Sequence, residues 1–108
     1  MDIQNLRVGI VETINDLNKM VNASKSAKQQ LEILKLLKVK NALLDAVVSQ
    51  ELKKSTPQYK RALRELVKAE KATKDAVKDI KKIANGIKRA QSAARAVGRV
   101  VGLGISFL

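Results

Sequence analysis

Pro57 is the only proline in a chain of 108 residues, and it stands at the midpoint. Proline lacks a backbone N–H and has a fixed φ. It is therefore at home in the first turn of a helix, and it pushes the residue before it out of the α region. Ser55 and Thr56 precede it, either one able to cap a helix starting at Pro57, and Ser55 with Gln58 has the spacing of a capping box. One helix ends before Ser55-Thr56-Pro57 and another begins there, so the chain reverses into two arms of similar length.

The second arm is the more regular. Positions 59, 63, 66, 70, 73, 77, 80, 84, 87, 91, 94, 98 and 101 alternate steps of four and three. Beside them a strict seven-residue row carries Ala62, Ala69, Ala76, Ile83, Ala90 and Val97, small enough for a neighbouring helix to come close. This pattern predicts one helix from Pro57 to about Val101, about 65 Å long at 1.5 Å per residue.

In the first arm Ile3, Leu6, Ile10, Ile14, Leu17 and Val21 form a narrow apolar stripe. Asn22-Ala23-Ser24-Lys25-Ser26 then interrupts with weak helix formers, and Ser26 with Gln29 offers a second capping box. The expectation is an all-α chain forming one domain over 1–108, a long antiparallel, coiled-coil-like helical hairpin. Arm one covers about 2–54, the turn 55–57, arm two about 57–101, and an apolar, Gly-rich tail 97–108. A kink in the first arm keeps the hairpin; a full break near 22–26 makes a three-helix bundle.

Composition limits the chemistry. Tyr59 and Phe107 are the only aromatic residues, so the core is aliphatic. With no Cys and no His, disulfides, thiolate nucleophiles, the usual zinc sites and imidazole acid–base catalysis are excluded. The i, i+4 carboxylate pairs Asp75/Asp79 and Glu12/Asp16 read as surface acids among lysines, and no serine has a base to activate it. The expectation is a non-enzyme with no cofactor, no metal and no small-molecule substrate.

Beyond residue 30 the first arm is over-rich in Leu and Val. Ile33, Leu36, Leu37, Leu43, Leu44, Val47 and Val48 spread over more of the helix than one antiparallel partner covers. They are the candidate interface with a helical protein partner or with a second copy of the chain.

Net charge is +12, from 22 basic and 10 acidic residues. Residues 1–54 contribute +3 and residues 55–108 contribute +9, and no acid follows Asp79. Lys74, Lys78, Lys81, Lys82, Lys88, Arg89, Arg95 and Arg99 are the candidate anion-binding side chains, suited to an anionic membrane surface or an acidic protein. Nucleic acid ranks below these: without stacking aromatics or a short recognition helix, binding rests on phosphate contacts alone.

The tail, with Val97, Val100, Val101, Leu103, Ile105, Phe107 and Leu108, is apolar and carries the Gly98/Gly102 spacing of close helix packing. Its last nine residues fall far short of the ~20 that span a bilayer. Three accounts stand: the tail covers the first arm, it inserts shallowly beneath headgroups held by Arg95 and Arg99, or it continues in a longer protein. The start, Met1-Asp2-Ile3-Gln4, is not a secretory signal. The expected location is the cytoplasm on synthesis, with peripheral membrane attachment or export without a cleaved signal as further steps.

The plan of two helical arms, a turn and an apolar tail resembles two bacterial groups. Small secreted helical-hairpin proteins carry Trp-x-Gly where this chain has Ser55-Thr56-Pro57. Helical pore-forming toxins pair long helices with a short apolar segment, as residues 97–108 do here. Both resemblances imply a toxin- or secretion-related component, and neither assigns a functional residue.

Overall fold

In the computed structural model, which describes residues 5–105, the chain forms four α-helices and no strand among those residues. They are α1 (Leu6–Ala23), α2 (Ala27–Ser49), α3 (Pro57–Lys78) and α4 (Ile83–Val101), with a 3-10 turn at Ile80–Lys82 before α4. Each of the first three starts on a side-chain cap. Asn5 accepts from the Val8 N–H at 2.9 Å, Ser26 from Gln29 at 3.3 Å, and Thr56 from Tyr59 at 3.3 Å. Thr56, not Ser55, takes the capping role, with Pro57 directly behind it.

Both arms are broken. The first divides at Ser24, which is extended (φ −73°, ψ 135°), and Gln30 Nε2 ties the turn by donating to the Ser24 carbonyl at 2.7 Å. The single 65 Å helix expected for the second arm is not what forms: the longest dimension is 40 Å. The break is Asp79 (φ −138°, ψ 107°), whose carboxylate accepts from the Lys81 N–H at 3.1 Å and so caps the 3-10 turn. The chain is thus two short helical hairpins rather than one long one.

How the hairpins stack follows from what meets across them. Leu6 N–H donates to Tyr59 Oη at 3.4 Å, and Thr73 Oγ1 donates to Asp16 Oδ2 at 3.1 Å, so α1 and α3 run parallel and in contact. Gln50 Nε2 donates to the Val101 carbonyl at 3.2 Å, placing the ends of α2 and α4 together. The helices pack in the cyclic order α2, α1, α3, α4, and residues 50–56 cross from one hairpin to the other. Both hairpin turns therefore lie at the same end of the bundle.

Two apolar clusters fill it. Leu17, Met20, Ile33, Leu36, Ala76, Ile83, Ile87 and Ala90 sit at the turn end. Leu6, Ile10, Leu43, Tyr59, Leu66, Ala94 and Val97 lead the other cluster. All six residues of the seven-residue row, Ala62 to Val97, are buried, and they remain so on both sides of the break.

Three helices carry buried polar residues where they pass from one cluster to the other: Thr13 and Asp16 on α1, Lys40 on α2, Glu70 and Thr73 on α3.

A candidate anion-binding surface

The wide apolar face of α2 is mostly used inside the chain. Ile33, Leu36 and Leu43 are fully buried, and Leu37, Leu44 and Val47 are half-buried against the clusters. Of the seven residues expected to meet a partner, only Val48 is exposed. The excess width has a simple cause: α2 contacts two helices, α1 and α4, not one. Leu31 and Leu34 are the other exposed leucines of this helix.

The tail folds back as far as it is described. Gly102 takes the left-handed conformation (φ 79°), and the Gly98 carbonyl accepts from the Leu103 N–H at 2.9 Å, which closes the helix end. A Cβ on Gly98 would lie 2.7 Å from the Leu103 carbonyl oxygen and 2.8 Å from Ile105 Cγ1, so glycine is what lets the tail lie there. Val97 and Val101 are core residues, Val100 and Ile105 pack against the core, and Leu103 is exposed. Phe107 and Leu108 lie outside the described residues. No helix among the described residues is long and apolar enough to cross a membrane.

Of the candidate cations, Lys78, Lys81, Lys82, Lys88, Arg89, Arg95 and Arg99 are exposed. Lys74 differs. Its ammonium lies 2.7 Å from Glu70 Oε1, and that hydrogen bond raises its pKa, so its charge is committed within the protein.

The parallel stacking adds cations that the sequence pattern did not join. Lys25 and Lys28, from the α1–α2 turn, share the turn end with Lys78, Lys81 and Lys82, and all five are exposed. Among them Ile80 is 46% exposed, although it falls on the apolar seam of the second arm. The break at Asp79 turns it out of that seam.

A second basic region lies in a groove of about 250 Å³ between α3 and α4. Arg61, Arg89, Arg95 and Arg99 line it, together with Ser92, Ala96 and a single carboxylate, Glu65. Arg61 was not among the expected anion-binding residues. The available signal was the segregation of arginine: four of only six arginines line this groove, and none of sixteen lysines does.

Inside the bundle two titrating groups are shifted. Burial raises the Asp16 pKa, opposed by the Thr73 hydrogen bond and by Lys74 and Lys19. Burial alone pushes the Lys40 ammonium down to about 7. Its Nζ has no hydrogen-bond partner among the described residues.

No protein-family model, curated protein or solved structure matches the chain.

Proposed function

We propose that this chain is a non-enzymatic helical module that docks its turn end on an anionic membrane surface. The observation that carries the reading is that Lys25, Lys28, Lys78, Lys81 and Lys82, all exposed, share one end of the bundle with the exposed Ile80. Cations at the same end as an exposed apolar side chain suit the headgroup boundary: the ammonium groups meet lipid phosphates while the side chain enters the acyl edge. Near an anionic leaflet each lysine contributes about 1 kcal/mol. Such docking is peripheral and needs no spanning segment.

Self-association has less support than the composition implied, because α1 and α4 cover most of the face that called for it. Non-specific nucleic-acid binding remains the alternative that the same charge permits, and it is separable by its indifference to Ile80.

Vesicle co-sedimentation tests the proposal. The protein is expected to bind vesicles containing phosphatidylserine and to ignore neutral phosphatidylcholine vesicles. Replacing the five lysines by Gln is expected to weaken binding about a thousandfold. Ile80→Gln should weaken it further at high salt, where screened charges contribute less. Equal binding to neutral vesicles, or undiminished binding by the five-Gln variant, would overturn the reading.

A further inference from the structure

The arginine groove lies along α3 and α4, from Arg61 and Arg99 to Arg89, apart from the turn end. We infer that it is a binding site for a compact, multiply phosphorylated ligand, a diphosphate or triphosphate group. This goes beyond membrane docking and stands or falls separately from it.

The first reason is residue choice. Four of the six arginines line this groove while none of the sixteen lysines does, and the turn end uses lysine only. Lysine is a hydrated point charge. Arginine presents a planar fork of donors that matches two phosphate oxygens at once and is more weakly hydrated. Concentrating four arginines and no lysine in one groove is what recognition of phosphate geometry needs and what mere solubility does not.

The second reason is charge balance. Four guanidinium groups face one carboxylate, and Glu65 is itself 3.9 Å from Lys68 Nζ. Even with Arg95 engaged in a contact of its own and Glu65 fully paired with another arginine, two positive charges stay in the groove. A single monoanion does not neutralise two charges; a diphosphate or triphosphate does.

The third reason is shape. Ser92 and Ala96 form the small-residue part of the lining, one turn apart on α4, so a ligand can approach the helix closely. Ser92 adds a hydroxyl able to donate to a phosphate oxygen.

The phosphate chain is met either free in solution or on a lipid headgroup, and the test separates the two. Isothermal titration with inorganic pyrophosphate and triphosphate, at constant ionic strength, is expected to show saturable one-to-one binding, with sulfate far weaker. Arg89→Lys with Arg99→Lys keeps the charge and removes the forks, and is expected to cost about tenfold in affinity or more. Lys81→Gln with Lys82→Gln removes two charges outside the groove and is expected to change affinity by less than about twofold.

If binding is to a lipid-borne group, vesicles carrying a polyphosphorylated headgroup should outcompete phosphatidylserine vesicles of equal charge. If it is to a free ligand, pyrophosphate alone should saturate the groove without vesicles. Either result supports the site. Non-saturable binding, or equal losses in the arginine and lysine variants, would show a general positive field and overturn it.

Discussion

The α1–α3 seam and the middle of α2 both bury polar side chains, and they treat them differently. On the seam, Thr73 Oγ1 lies 3.1 Å from Asp16 Oδ2 and equally close to the Glu70 carbonyl oxygen, and Glu70 pairs with Lys74. Every charged group there has a neighbour, and Lys74 reaches solvent. On α2, Lys40 is fully buried with nothing to accept from its ammonium among the described residues. Burial is thus compatible with charge where neighbouring side chains bring partners, and otherwise the group must give up its proton. The seam ties the two hairpins together; Lys40 makes the bundle sensitive to pH.

The largest expected effect comes from removing that sensitivity. Lys40 falls from an ordinary 10.5 to about 7 on folding, so between those pH values the unfolded chain holds a proton that the folded chain has lost. Stability therefore rises with pH across that window, by about 1.4 kcal/mol per unit, and the full penalty is present below about 7. Lys40→Met fills the same space without a charge and is expected to stabilise the fold by about 3 kcal/mol at pH 7. Urea titrations at pH 7 and pH 10 check both parts: the wild-type midpoint should rise between them, and the variant's should not. A wild-type midpoint that stays level would mean that the ammonium finds a partner, and the contrast with the seam would vanish.

A smaller effect is expected from making the seam resemble α2. Thr73→Val keeps the side-chain shape and removes the hydroxyl, leaving the Asp16 carboxylate without that hydrogen bond. The cost is expected to be about 2 kcal/mol at pH 7. Because folding raises the Asp16 pKa, the folded state holds its proton to higher pH than the unfolded state does. The contribution of Asp16 to stability thus falls as pH rises through that window, and the variant should steepen the fall. Unfolding midpoints from pH 4 to pH 7 would reveal it, and a loss of stability equal at both ends would assign the effect to packing instead.

The sequence carries more of this fold than of its charged features. The row from Ala62 to Val97 names core residues correctly through both helices of the second hairpin, and Ser26 and Thr56 mark true helix starts. The break at Asp79 was hidden because a seven-residue row stays in phase across it: Ala76 and Ile83 are both buried. Residues 50–56 gave no sign that they bridge the hairpins, since that path is set by which helices pack, not by local propensity.

Lys40 was legible in part. It stands three residues before Leu43 and four after Leu36, on the buried face of α2, yet its type marked it as a surface charge. The gathering of lysines at the turn end was not legible at all, because it joins two turns more than fifty residues apart.

The smallest effect sharpens the comparison most. If the seam tolerates charge because its partners suffice, then neutralising Asp16 should change little. Asp16→Asn keeps an oxygen for the Thr73 hydroxyl and removes the desolvated charge, while losing the attraction of Lys74 and Lys19. Desolvation outweighs these attractions, since folding raises the Asp16 pKa, so the expected net change at pH 7 is a stabilisation of less than about 1 kcal/mol. The variant should also lose the Asp16 contribution to the pH dependence between pH 4 and pH 7. Differential calorimetry on the two proteins at both pH values reads this directly. A large stabilisation at pH 7 would place Asp16 with Lys40, as a charge that burial disfavours despite its neighbours. A near-zero change would show that a hydroxyl and two nearby ammonium groups are enough to hold a buried carboxylate, and that the absence of such partners around Lys40 among the described residues is what sets its proton loose.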